Sequence, residues 1–424
     1  MKHKKLTLIF LIIFYSSFSI AQNNDSRIDS IQKKLKEIDL EREQLLSDIK
    51  IIKLSYIHDD LVKNGLPFVN ENEDIIHHSA LSLSYNETHE QANWVAHIIT
   101  PDIKGKGYSR TNDFRKDPKV KTGSTIEKDF FLKTLQADSS YEYEGFGYDR
   151  GHLAPSADFR WCKEAMSESY YYSNMSPQKP DFNRGIWAKL ESFIREYVSE
   201  SDKKVYVVTG GILNDNLNKV ERSINKVSIP EEYYKVILDY EGDTFAGIGF
   251  VMKNEKSDYP VISFAVSIDE VEKRTGINFF ASLPDSIENR LEANFDIKHW
   301  QTEMRKRNLA PIHRNKLPKD AVNTVMARSL YDSKAKVCGT VVEVHETKTG
   351  NYFLNFDQDF PEQLFWCTIW KANIVNFTYN PQEYLLNKKI CIKGTIKKKY
   401  GKPSMSLYND NQITLYEEEM LKKK

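Results

Sequence analysis

An arginine and a histidine stand two residues apart in Tyr148-Asp149-Arg150-Gly151-His152-Leu153-Ala154-Pro155. Imidazole takes up a proton near neutrality, with an unperturbed pKa of about 6.5. The planar fork of guanidinium pairs with phosphate oxygens. Cleaving a phosphodiester requires a base for the attacking water, a positive field on the phosphoryl oxygens and help for the departing alkoxide. His152 suits the first task and Arg150 the second. Alone, Asp-Arg-Gly-His is a short string, and a single histidine is more often structural than catalytic.

Downstream come Asn174-Met175-Ser176-Pro177-Gln178, then Asn183-Arg184-Gly185-Ile186-Trp187, then Glu191. If a helix starts near Asn183, positions 183, 187 and 191 drift by roughly 40° per four-residue step and share one face. That face carries the apolar stripe of Trp187, Leu190, Ile194, Tyr197 and Val198. A carboxylate there is either an edge residue paired with Arg195 at i+4 or a functional group. Asn183 is either a helix N-cap or an oxygen donor to a hard divalent cation, with Glu191 holding the cation's waters. Mg²⁺ keeps several waters and takes few protein ligands, so one or two oxygens suffice. No second histidine stands at zinc spacing from His152, which disfavours a zinc hydrolase.

These three stretches, in this order and with Asn174 and Asn183 nine residues apart, resemble the DNA/RNA non-specific endonuclease family, the ββα-metal or His-Me finger nucleases of endonuclease G type. The resemblance spans roughly residues 80–285. It implies a Mg²⁺-dependent hydrolase of DNA and RNA, with Mn²⁺ able to substitute, whose products carry 5′-phosphates. It implies His152 as general base, Asn183 as direct metal ligand and Glu191 as the residue orienting metal-bound water. Arg150 becomes the arginine of the histidine motif and Asn174 a supporting polar residue. An upstream arginine on the phosphate is expected in Ser109-Arg110-Thr111-Asn112-Asp113-Phe114-Arg115, where Arg110 is the choice and Arg115 the alternative. Arg184 joins Arg110 and Arg150 as a substrate contact. Such enzymes read backbone and shape, so sequence preference is expected to be weak. The competing function class is a nucleic-acid-binding protein with an inactive nuclease core and a C-terminal binding module. The joint presence of base, metal ligand and water-orienting acid argues against it.

The elements that must position these groups follow from periodicity. The strands Asn93–Ile99, Lys204–Gly211, Tyr233–Leu238 and Thr244–Met252 and the helix 186–199 do not alternate strictly, so the catalytic region, 80–300, is expected to be α+β with a mixed sheet. Residues 60–80 read as a linker and 102–147 as mostly loop. Beyond a basic linker near 300–325, segments 337–344, 352–356, 365–370, 389–396 and either 403–408 or 412–416 read as strands. A helical piece at 381–386 separates the third from the fourth. That order is expected of a small OB-like barrel over 326–418. Its basic turn, Lys393–Lys402, with Trp366 and Trp370, fits either a single-strand groove or a solvated hairpin beside an ordinary core.

The ends set location and assembly. Residues 1–21 read as a secretory leader: a charged start, an apolar run from Leu6 to Tyr15, and Ser19-Ile20-Ala21 before a cut. The run is short for a spanning helix, so no stable membrane insertion is expected. The expected location is the periplasm or the exterior. Residues 25–58 lack Gly and Pro and space Ile28, Ile31, Leu35, Ile38, Leu45, Ile49 and Ile52 at steps of three and four, with Arg42 interrupting once. This is a coiled-coil seam for a homo-oligomer or the face of a helix lying on the globular part. The 424 residues hold 60 basic and 60 acidic side chains. Loss of Lys2, Lys4 and Lys5 with the leader tips the balance slightly acidic, so attraction to phosphate must be local. The four cysteines do not form a disulfide scaffold and read as core residues, although export permits one or two bridges.

Overall fold

The structure, a computed structural model, describes residues 2–68, 74–242 and 244–421, with the backbone alone for residues 2–26, 244 and 304. The chain divides into two units, Met1–Asp59 and Asp60–Lys424. The first is helical throughout its described residues, as part of α1 (Lys2–Asn64). The side chains of the expected leader lie outside the described residues. The seam residues Ile28, Ile31, Leu35, Ile38, Leu45, Ile49 and Ile52 are each more than half exposed. No helix among the described residues is long and apolar enough to cross a membrane.

The second unit is α+β: the main sheet of its catalytic region is antiparallel at every described pair, where a mixed sheet was expected, and its C-terminal sheet combines antiparallel with parallel pairs. Instead of the linker expected over 60–80, α1 continues to Asn64. It is tied down by Asp60, which accepts from Tyr206 Oη at 2.8 Å and from Lys204. The chain then forms β1 (Ile75–His77), β2 (Leu81–Asn86) and β3 (Gln91–Ile99). The expected loop region contains a hairpin, β4 (Phe131–Leu135) with β5 (Tyr141–Gly145). Its strands are exposed, which is why no apolar alternation marked them. Next come β6 (Asp149–His152), the short α2 (Lys163–Glu168), β7 (Met175–Gln178) and α3 (Ala188–Ser201). The region closes with β8 (Val205–Gly211), β9 (Glu232–Glu241), β10 (Thr244–Lys253), β11 (Ala265–Val266), α4 (Ile268–Thr275) and α5 (Asp285–Ala293). Asp243, the last residue of the turn expected between β9 and β10, lies outside the described residues.

The main sheet runs β1-β2-β3-β8-β9-β10-β11. Its central strands are buried on both faces, so they read as continuous apolar runs rather than alternating ones. The two faces are covered differently. A Cβ on Gly247 or Gly249 would lie 2.7 or 2.6 Å from Ile268 and Val271, so α4 packs directly against glycine backbone on one face. Ser267 caps α4 by accepting from Glu270 N, and Gly276 ends it at φ 72°. On the opposite face, Phe250 meets Phe193 of α3 with ring centroids 6.0 Å apart. Lys235 is register partner to Phe250, so its side chain rises on the α3 face. This is the face that also carries β6 and β7.

The C-terminal region forms a second sheet from β12 (Ala321–Asn323), β13 (Lys334–Glu346), β14 (Tyr352–Phe356), β15 (Phe365–Ile369), β16 (Lys389–Thr395), β17 (Lys397–Lys399), β18 (Lys402–Leu407) and β19 (Ile413–Leu415). The order is β17-β18-β15-β14-β13-β16-β19, with β12 beside β13. Both segments offered for the fifth strand are strands: β18 pairs parallel to β15 and β19 antiparallel to β16. The expected helix, α6 (Pro381–Leu385), is capped by Asn380. No ladder joins β18 to β16 among the described residues, so the sheet stays open where a closed barrel was expected. The cysteine expectation also needs correction. Cys338 and Cys391 face each other across β13 and β16 and form a disulfide, while Cys162 and Cys367 are free and buried.

Candidate active site

β6 and β7 pair with Asp149 opposite Gln178, Gly151 opposite Ser176 and His152 opposite Met175. Glycine is required at 151 because a Cβ there would lie 2.1 Å from the Gln178 side chain. That close approach sets where Arg150 and His152 emerge on either side of it. Behind the strand, Asn174 is fully buried and clamps the chain just past His152. Its Oδ1 accepts from Ala154 N at 2.9 Å, and its Nδ2 donates to Ala154 O at 2.9 Å and Ser169 O at 2.7 Å. Asn174 thus supports the strand and does not line the cavity in front of it.

That cavity has a volume of about 550 Å³ and is lined by Arg110, Arg150, His152, Asn183, Arg184 and Glu191, among others. Six of the eight residues singled out from the sequence therefore meet in one place. Arg115 does not join them: its guanidinium is occupied by Asp113 and Ser167 O and lies 4.1 Å over the Tyr171 ring.

His152 is held by rings, edge-on to Tyr170 at 5.1 Å and to Phe114 at 5.6 Å. Burial, reinforced by the charges of Arg110 and Arg150, pulls its pKa down to about 3. The ring is thus neutral, with its lone pair available, across the physiological range. Its Nε2 is buried with no hydrogen-bond partner among the described residues. Arg150 Cζ lies over the Phe114 ring, 3.8 Å from its centroid, and the guanidinium donates to Tyr172 Oη at 3.2 Å. Arg110 donates to Tyr170 Oη at 3.1 Å. An aromatic face holds the Arg150 guanidinium and a tyrosine hydroxyl holds that of Arg110, and both keep further donors for an anion.

Asn183 does not lie on the regular helix expected from the sequence. Residues 182–187 form a wider π-type turn, broken at Gly185 (φ −104°, ψ −110°), before α3 begins at Ala188. The break shifts the register. Trp187 turns into the core, fully buried against Phe182 and Tyr233, while Arg184, Ala188 and Glu191 line the cavity. π-turns inside helices often occur at functional sites. The Asn183 amide nitrogen donates to Asp149 Oδ2 at 2.8 Å, which leaves Oδ1 as the atom available to the cavity. Asp149 also receives Arg184 in bidentate fashion, at 2.6 and 2.8 Å.

Glu191 is not paired with Arg195 as an edge carboxylate would be. Arg195 donates instead to Asp158 at 2.8 Å, and Asp158 also accepts from His97 at 3.0 Å. Burial pushes the Glu191 carboxyl up, and the charges of Lys235 and Arg195 pull it back. Lys235 is buried and donates to Thr209 Oγ1 at 2.6 Å and to Leu153 O, next to His152, at 3.3 Å. Burial lowers its pKa while Glu191 and Asp158 hold it up. Burial would raise Asp158, but the hydrogen bond from His97 and the charge of Arg195 keep its carboxyl below the usual range. Lys235, Asp158 and His97 were not identified from the sequence. The one available signal was a lone lysine in the apolar run Tyr233–Leu238.

The donor set suits a hard cation: an amide oxygen whose orientation is fixed, and a carboxylate whose burial leaves it short of positive charge. The carboxylate cluster Asp269, Glu272 and Glu292 lies on α4 and α5 and contributes nothing to this cavity.

The family model for DNA/RNA non-specific endonucleases matches residues 57–286. A nuclease of Serratia marcescens is 33% identical over 229 residues, covering 53% of this chain and 81% of that protein. Nuclease C1 of Cunninghamella echinulata var. echinulata is 34% identical over 224 residues, covering 50% and 84%. The mitochondrial endonuclease G of Homo sapiens is 31% identical over 236 residues, covering 53% and 74%.

Proposed function

The chain belongs to the DNA/RNA non-specific endonuclease family and is a phosphodiester hydrolase, and from that premise we propose that the cavity between β6 and α3 cleaves DNA and RNA with His152 as general base. The observation that carries this reading is the meeting of Arg110, Arg150, His152, Asn183, Arg184 and Glu191 around one space.

Neutral His152 takes the proton of the attacking water. With Nε2 shut away, the lone pair that does so is on Nδ1. Arg150 and Arg110, held by their aromatic neighbours, pair with the phosphoryl oxygens and orient the diester. Arg184, at the exposed rim and anchored by Asp149, engages the flanking backbone. Asn174 and Lys235 act through the backbone at Ala154 and Leu153, keeping the histidine strand in place. A divalent cation, Mg²⁺ with Mn²⁺ able to replace it, would be held by Asn183 Oδ1 directly and by Glu191 through water, supplying positive charge to the phosphoryl group and the leaving 3′ oxygen. Departure of the 3′ oxygen leaves 5′-phosphate ends. Lys235 beneath Glu191 stabilises the ionised carboxylate that this arrangement requires.

The protein is secreted or periplasmic. The leader-like start supports this, as does a disulfide, which persists in oxidising compartments. The exposed apolar seam of residues 25–58 supports a homo-oligomer. The region 80–300 is the catalytic domain. Residues 326–418 form an open OB-like module, supported by the parallel pairing of β15 with β18 and by the helix between the third and fourth strands.

The test is degradation of plasmid and of RNA with Mg²⁺, with and without chelator, by the parent chain and by His152→Ala, followed by end-group analysis. The reading expects cleavage that is abolished by chelator and reduced about 10²- to 10⁴-fold in the variant. Equal cleavage by both proteins would remove His152 from its role.

A further inference from the structure

The C-terminal sheet carries a second cavity, of about 600 Å³, which the hydrolytic chemistry does not use. Trp366 of β15 forms its floor. The Phe353 ring lies 5.5 Å from that indole, and the Tyr400 ring lies nearly parallel to it, 6.2 Å away at 28°. Tyr400 sits at the β17–β18 turn and is 94% exposed. An aromatic ring held out in solvent beside a buried indole is half of a stacking platform. The rim is cationic. Lys399 Nζ lies 5.9 Å from the Trp366 ring and 5.6 Å from the Trp370 ring, and Lys397, Lys398 and Lys402 share its hairpin. The wall adds a fixed hydrogen-bonding edge. Glu343 Oε2 accepts from Asn355 Nδ2 at 2.6 Å and from Phe360 N at 3.0 Å.

These features sort the occupant by its parts. A phosphate inside would meet the Glu343 carboxylate, whereas a flat heterocycle with amino donors would find both stacking faces and an acceptor. The phosphates belong outside, on the lysine hairpin. A base paired and stacked in a duplex cannot enter, so the strand must be single. We propose that this cavity binds one base of single-stranded DNA or RNA, making the C-terminal sheet a strand-anchoring subsite for the polymer cut between β6 and α3. The proposal rests on the nuclease reading only in taking that polymer to be the substrate.

The test uses the full chain carrying His152→Ala, in chelator, so that the probe survives. A fluorescent ten-residue oligodeoxycytidylate, whose bases carry the amino donor that Glu343 would accept, and a duplex of equal length are titrated by anisotropy. Tyr400→Ala changes an exposed side chain and Lys399→Ala a half-buried one, and Trp366→Ala removes the floor. Removing one stacking ring is expected to weaken single-strand binding about fivefold or more and to leave duplex binding unchanged. In the parent, titration is also expected to quench tryptophan emission. Unchanged single-strand affinity in Tyr400→Ala and Lys399→Ala overturns the proposal. An equal loss for duplex and single strand also overturns it. Failure of the nuclease reading is a separate result, an absence of cleavage by the parent chain, and does not alter these affinities.

Discussion

The Asn183 amide nitrogen donates to Asp149 Oδ2 at 2.8 Å, and that bond decides which end of the amide faces the catalytic cavity. Asp149 itself is held on its strand by pairing with Gln178 and by two bonds from Arg184. The carboxylate therefore orients the proposed metal ligand without being one. Partners of this kind change metal affinity about 10- to 100-fold when removed. Asp149→Ala is expected to raise the half-saturating Mg²⁺ concentration by that factor, with much of the turnover returning at high Mg²⁺. Initial rates of plasmid nicking across a Mg²⁺ series measure this. An unchanged half-saturation point would show that the amide orients itself.

The contact of Gly151 with Gln178 gives a second, purely steric prediction. A Cβ at 151 would lie 2.1 Å from Gln178 Oε1, and neither polar atom of that amide has a partner among the described residues. Gly151→Ala should cost about 1–3 kcal/mol through overpacking. Gln178→Ala should recover part of that loss, because the two changes share one contact. Chemical denaturation of both single variants and the double variant closes the cycle. Strict additivity would mean that the strand moves instead of the side chain.

The candidate site was legible in the sequence where its residues lie close along the chain. Arg150 and His152 flank a glycine on one strand, and Asn183, Arg184 and Glu191 lie close along one stretch, so short motifs captured them. The expected helical face failed at Trp187, because the break at Gly185 rotates the helix beyond it, and spacing alone does not reveal a π-turn. Lys235, Asp158 and His97 were missed for a different reason. Their roles depend on which face of the sheet β9 presents and on a network linking positions 97, 158 and 195. Only the folded register brings those together. The strand segments of the C-terminal region were legible from alternation. Whether the sheet closes depends on how far β18 stands from β16, which alternation does not encode.

The Cys338–Cys391 bridge joins neighbouring strands and closes a loop with a sequence separation of 53. Bridges of this kind contribute about 2–4 kcal/mol, largely by restricting the unfolded chain. The double change Cys338→Ala and Cys391→Ala should destabilise the C-terminal sheet by that amount and abolish the response of its unfolding midpoint to reductant. Cys162→Ala should leave that response intact. If reductant leaves the parent's midpoint unmoved, the bridge contributes no stability.

His152 links the chemistry to stability. Burial, with Arg110 and Arg150, lowers its pKa from 6.5 to about 3. Between those values the unfolded chain binds a proton that the folded chain does not. The stabilisation is fully present above pH 6.5 and is lost as the pH falls toward 3. Between pH 6.5 and 5, one such group removes up to about 2 kcal/mol. His152→Asn should therefore lose less stability than the parent over that interval, whatever its starting stability. Denaturant midpoints in chelator at both pH values measure the difference. Parallel losses in the two proteins would mean that the imidazole titrates as if free in solution. The same burial keeps the ring unprotonated as the medium acidifies, so the base should stay competent for as long as the fold survives.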